Sequence, residues 1–230
     1  VLNQATYVKD TALALWEGLP RVILAGFLFT LISLPAVVVI LLNLVTPGIL
    51  LGIFTVGPAW VAMSALIARV LLRESASPLD FVHALRHYYA RGAILAAGLA
   101  IPLVTAAWSL PALAQPPVPT VIWLGLAADL AGFFLLSALY LYTYPQIVLY
   151  DVGVRVALRN SFILAARYLS NTLGLLGLAV LLGLLAFKVT YLLLVILPPA
   201  WMVFVINNCR MVLRLELGDD GDLQDPQDSE

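Results

Sequence analysis

Residues 22–68 read VILAGFLFTLISLPAVVVILLNLVTPGILLGIFTVGPAWVAMSALIA, a stretch with no Lys, Arg, Asp, Glu or His. A helix needs about 20 predominantly apolar residues to cross the hydrocarbon core of a bilayer. The 47 uncharged residues are enough for two crossings, and Thr46, Pro47 and Gly48 suit a turn between them. The chain therefore reads as a protein embedded in lipid.

Composition points the same way. Hydrophobic residues make up 63% of the chain and charged residues 11%, against roughly 25% charged in a soluble domain. Mean hydropathy is +1.02. The net charge of -1 argues against nucleic-acid binding, which needs a basic surface. A single cysteine, Cys209, leaves no disulfide to form within the chain. Beside Arg210 it reads either as an unmodified thiol or as a juxtamembrane palmitoylation site. The first apolar run is too long for a signal peptide's apolar region, and no Ala-x-Ala site closes it.

The expected fold is all-α: a polytopic transmembrane bundle of six helices in one domain, 1–217. The helices are placed at 22–44, 49–68, 92–113, 120–144, 172–187 and 190–208. A stiff turn at Gln115-Pro116-Pro117-Val118-Pro119 separates the third from the fourth. Residues 172–208 hold one charge, Lys188, and fit two short crossings joined near it; a single long tilted helix is the alternative, giving five. The acidic polar tail, 218–230, has too little to bury and is expected to be disordered.

Basic residues set the orientation. With six crossings, Lys9, Arg21, Arg69, Arg73, Arg86, Arg91, Arg155, Arg159, Arg167, Arg210 and Arg214 share one side, and only Lys188 lies on the other. Both termini and the segments 69–91 and 150–170 are then cytoplasmic. Little mass remains outside, which speaks against a receptor.

Both cytoplasmic segments look amphipathic. Ser77-Pro78-Leu79-Asp80 is a helix start with the pattern of a capping box. Beyond it, Leu79, Val82, Leu85 and Tyr89 form an apolar face, and Asp80, His83, His87 and Arg91 a polar one, as in a helix lying on a membrane surface. His83 and His87, four apart, have metal-ligand spacing, with Asp80 as a third donor. Arg86 and Arg91 would repel a cation, the Glu of a zinc-protease HExxH helix is absent, and a solvated polar face is the other reading. In the second segment Asp151, Arg155 and Arg159 are spaced for i, i+4 pairing. Its arginines read as anchors to anionic headgroups or as a docking surface for a cytoplasmic partner.

Within the apolar runs Asp129 stands out, because a carboxylate at that depth costs roughly 2.5–3.5 kcal/mol on insertion scales. It needs a partner, and Lys188 is the candidate. The reading is either a packing pair or a site that handles protons or solutes. Pro35, Pro58, Pro102 and Pro198-Pro199 can kink their helices. Gly52, Gly57, Gly174, Gly177 and Gly183 offer sites of close helix contact. A shift of 81 residues aligns Phe81 with Phe162, Ala84 with Ala165 and Arg86 with Arg167, a faint internal repeat.

Gly57-Pro58-Ala59-Trp60-Val61-Ala62-Met63 resembles the GPAxxAM motif of the YesL (DUF624) family of membrane proteins. Arg69, Arg73-Glu74, Asp80-Phe81, Ala84 and Arg86 continue the likeness, and Arg159-Asn160-Ser161-Phe162 resembles the Asn-containing motif of that family's later cytoplasmic helix. Leu71, Leu72 and Ser75 depart from it, standing where the family often has a Trp and a Gly. The resemblance, from about Trp16 to Leu215, implies a bacterial inner-membrane protein of five or six helices, often encoded beside carbohydrate uptake systems and glycan-degrading enzymes. It brings no catalytic residues and no cofactor. Three functions follow as expectations. The first is an accessory or assembly partner of an ABC-type sugar importer. The second is a small transporter or channel using Asp129. The third and least favoured is a membrane enzyme built on Asp80, His83 and His87.

Overall fold

The computed structural model describes residues 16, 18–72, 74, 76–114, 118–189 and 193–216. Among these, every regular element is helical. In chain order they are α1 (Leu19–Leu41), α2 (Val45–Phe54), α3 (Val56–Leu71), α4 (Pro78–Ser109) with a 3-10 extension (Leu110–Ala114), α5 (Thr120–Tyr150), α6 (Val154–Arg167), α7 (Leu169–Val189) and α8 (Leu193–Glu216). Five helices are long and apolar enough to cross a membrane, and a sixth crossing results if α2 and α3 count as one span. The chain is a polytopic helical membrane protein. Lys9, Arg73, the Gln115–Pro117 part of the proline turn and the acidic tail lie outside the described residues.

The second crossing is broken. α2 and α3 meet at a 42° bend around Thr55, three residues before Pro58. Proline has no N–H for the carbonyl four residues back, so the ladder opens there. The chain reverses at Leu42–Leu44, where Asn43 adopts φ 62°, and not at Thr46-Pro47-Gly48. Those three form the first turn of α2, where proline is tolerated because the amide it lacks has no helical partner anyway.

Gly92 does not begin a helix. α4 runs unbroken from the capping box at Ser77 and Asp80 through Ser109, so the polar segment and the third apolar run form one helix. Its packed stripe is also shifted by a register. Phe81, Leu85, Tyr88, Gly92 and Leu95 turn inward, while Leu79 and Val82 stay exposed. Gly92 sets that stripe. A Cβ on it would lie 2.7 Å from Pro58 Cα, and a Cβ on Gly57 would lie 2.6 Å from Gly92 O. Two backbones can approach so closely only without side chains.

The 169–216 region is two helices and not one. Asn171 of α7 hydrogen-bonds to Asn208 of α8, and Trp201 Nε1 donates to Leu175 O at 3.3 Å, so α8 folds back along α7. Pro199 leaves the Val195 carbonyl without its helical donor, and Gly26 of α1 gives that carbonyl room. Of the glycines expected at contacts, Gly57 is at one. Among the described residues, a Cβ on Gly174, Gly177 or Gly183 would meet nothing within 4 Å, and one on Gly52 would meet Val56 alone.

Val22, Met63, Leu66, Phe81, Tyr142, Leu164, Leu175, Met202 and Ile206 belong to one buried cluster drawn from seven helices. At lipid depth such a core is held by close packing and internal hydrogen bonds, because lipid is as apolar as the side chains themselves.

Candidate functional site

Three places carry chemistry: the arginine-rich end, the α4–α5 seam at Asp129, and a cavity between the helices.

At the arginine-rich end the capping box forms. Asp80 accepts from the Ser77 amide at 2.8 Å and from its hydroxyl at 3.0 Å, and Arg69 donates to the same carboxylate at 2.5 Å. Asp151 leaves α5 in the left-handed conformation at φ 50° and turns toward α4. There it accepts from Arg91 at 2.5 Å and lies 3.2 Å from His87 Nε2. These bonds hold its carboxyl below the usual carboxylate range, Arg91 first and then His87. Asp151 therefore ties α4 to the α5–α6 elbow and does not pair with Arg155. Arg91 also covers the Tyr88 ring, 5.4 Å from its centroid.

The metal reading of Asp80, His83 and His87 fails on geometry. Asp80 is taken up by Ser77 and Arg69, His87 faces Asp151, and the described residues contain no group of three or more His, Cys, Asp or Glu that could hold an ion. Of the basic residues at this end, Arg86, Arg155 and Arg159 point outward and make no ion pair among the described residues. Arg167 has partners within the protein. Asn160 is exposed. Between the arginines of α6, Val156, Phe162 and Ile163 are exposed too, while Ala157, Ser161, Leu164 and Ala165 are buried. α6 thus shows arginines and apolar side chains on one outward surface, the mix of an interfacial helix.

Asp129 has a partner other than the expected one. Thr105 Oγ1 lies 2.6 Å from its Oδ1 across the α4–α5 seam, and no ion pair joins it to Lys188, which is exposed. Proximity of the two in depth gave no information on which faces they occupy. Nearby, Trp108 Nε1 donates to Thr46 Oγ1 at 2.9 Å, binding α4 to the start of α2.

The cavity has a volume of about 560 Å³, within the range of ~300–1,000 Å³ usual for small-molecule sites. It is walled by α1 to α5, α7 and α8, and Trp60, Tyr140, Tyr144 and Trp201 are among its aromatic residues. No charged side chain lines it, and Asp129 is not part of its wall. Val37, Phe134 and Val180 line it and are exposed, which puts its mouth on the lipid side. The motif residues sit at its base: Gly57 and Trp60 line it, while Pro58, Ala59, Ala62 and Met63 are buried behind.

Sequence reasoning missed a buried polar cluster. Thr143 donates to Ser161 Oγ at 2.9 Å and Gln146 Nε2 to the same oxygen at 3.1 Å, joining α5 to α6. Tyr142 and Thr172 pair at 3.1 Å. The signal was available in Thr143 and Gln146, polar residues inside an apolar helix. No family model, curated protein or solved structure matches the chain.

Proposed function

We propose that this protein is a non-enzymatic accessory or assembly partner that engages another membrane complex through its arginine-rich end. The observation that supports the reading is the outward surface of α6. Arg155 and Arg159 stand there beside exposed Val156, Phe162 and Ile163, with Arg86 of α4 also turned outward. Asp151 ties α4 to the α5–α6 elbow, so Arg86 is held at the same end of the bundle as α6. Arginine with apolar side chains is a combination enriched where proteins bind one another.

The excess of Lys and Arg at this end supports a cytoplasmic location with both termini inside, and the resemblance to the YesL family implies a bacterial inner membrane. The likeness of residues 57–63 and 159–162 to the YesL family makes an ABC-type carbohydrate importer the first partner to test. Purification in mild detergent from cells expressing that importer should recover its subunits. Replacing Arg86, Arg155 and Arg159 together by Glu should lose them while leaving the protein folded. A monodisperse protein free of importer subunits in both cases rejects the reading.

Asp129, a carboxylate bonded to Thr105 and without a cationic partner among the described residues, favours a second reading as a transporter or channel for a small solute. The uncharged cavity supports it little, since a polar solute leaves its hydrogen bonds unmatched against such walls. Flux into proteoliposomes that disappears in Asp129→Asn would establish it.

A further inference from the structure

The cavity has one feature that hydrocarbon alone does not satisfy. Tyr144 is 8% exposed and forms part of the wall, and its hydroxyl has no hydrogen-bond partner among the described residues. Trp60, its tilted neighbour at a ring distance of 6.4 Å, also lines the cavity and carries an indole N–H without a partner there. The other aromatic donors are used. Tyr140 donates to Leu95 O at 2.8 Å and Trp201 to Leu175 O at 3.3 Å. The Tyr144 hydroxyl and the Trp60 N–H both keep accessible surface, and a donor that meets only hydrocarbon forgoes a hydrogen bond worth about 0.5–1.5 kcal/mol, so the two free donors favour an oxygen that the protein does not supply.

We infer that the cavity binds one neutral lipid from the bilayer, with a hydrocarbon body and a carbonyl oxygen that accepts from Tyr144 and Trp60. Neutrality follows from the walls: among the described residues no Lys, Arg, His, Asp or Glu lines them, and an ion brought there would meet no counter-charge from them. The hydrocarbon body follows from Val56, Leu99, Leu103, Phe133 and Val205, which line the remainder. Entry from the lipid follows from the exposed wall residues Val37, Phe134 and Val180. Ser137, seven residues before Tyr144 and also in the wall, gives a second hydroxyl two helical turns away on the same face of α5.

Bromine quenches tryptophan fluorescence on contact, and Trp60 and Trp201 stand in the wall. The remaining tryptophans, Trp16, Trp108 and Trp123, are exposed and are replaced by Phe in the reporter protein. Titrating detergent-solubilised protein with a brominated fatty acid methyl ester should give saturable quenching at one site. Ala179→Phe, which fills the cavity from the loosely packed α7, should abolish the saturable part. Tyr144→Phe keeps the ring and removes the donor. It should weaken the ester about 3- to 10-fold, the worth of one hydrogen bond, and leave a brominated alkane of equal length unchanged. Quenching that never saturates, or that survives Ala179→Phe in full, assigns the effect to detergent and overturns the site. Equal effects of Tyr144→Phe on ester and alkane overturn the role of the oxygen.

Discussion

The phenol of Tyr89 donates to the carbonyl of Phe54 at 3.1 Å. That carbonyl is the one Pro58 deprives of its helical donor, four residues on. The break that bends the second span is thus sealed by a side chain from α4, just where Gly57 and Gly92 let α3 and α4 touch. The Gly-Pro pair opens a backbone bond and permits the approach that closes it. Tyr89→Phe should lower stability by about 0.5–1.5 kcal/mol, read as melting temperature in mild detergent. The loss should shrink in a Pro58→Ala background, where the helix supplies its own donor. An undiminished loss there would separate Tyr89 from the Phe54 carbonyl.

Gly92 faces backbone, not a flexible side chain. Its added Cβ would stand 2.7 Å from Pro58 Cα and 2.8 Å from Gly57 O, so relief requires moving a helix. Gly92→Ala should cost roughly 1–3 kcal/mol, the range of overpacked cores. Gly125→Ala, at a position with nothing within 4 Å, should be neutral or slightly stabilising because it removes helix-destabilising glycine. The comparison of their melting temperatures distinguishes crowding from a general effect of glycine replacement.

The tie at Asp151 has a defined pH range. Arg91, then His87, lower the carboxyl's proton affinity in the folded protein. A depressed carboxylate contributes stability that is fully present above the unfolded value, about 3.9, and is lost as pH falls through the lower folded value. The melting-temperature gap between wild type and Asp151→Asn should therefore stay open from neutral pH down to about pH 4 and close with further acidification. Because Asp151 and Arg91 are partly exposed, added salt should narrow the gap.

The crossings were legible because charge is so costly in hydrocarbon that its absence over residues 22–68 leaves few alternatives. Ser77 and Asp80 were legible because capping is local chemistry. What escaped depended on partners distant in sequence. Nothing in residues 69–92 reveals that the polar segment and the third apolar run are one helix, since Gly92 marks a close contact with Gly57 and Pro58 rather than a helix start. Asp151 has Arg155 at the favourable spacing, yet its left-handed backbone turns it to Arg91, 60 residues away. Gly174, Gly177 and Gly183 have the composition of a packing face, but a Cβ on any of them would meet nothing within 4 Å among the described residues. The cavity was invisible for the same reason: its walls come from seven helices, and its free donors, Tyr144 and Trp60, look like ordinary core aromatics.

The buried oxygen of Ser161 yields the sharpest energetic test. It accepts from Thr143 at 2.9 Å and from Gln146 at 3.1 Å, and all three side chains are buried. Thr143 has a second acceptor, the Leu139 carbonyl at 2.9 Å, whereas Ser161 is the one protein partner of the Gln146 amide nitrogen among the described residues. Ser161→Ala should thus strand Gln146 and cost about 1–3 kcal/mol, with α6 released from α5. Replacing both partners by apolar groups removes the stranded donor, so Gln146→Leu should recover much of the loss in the Ser161→Ala protein while giving little benefit alone. Additive losses in the double variant would mean that volume, and not the unmatched amide, controls the α5–α6 contact.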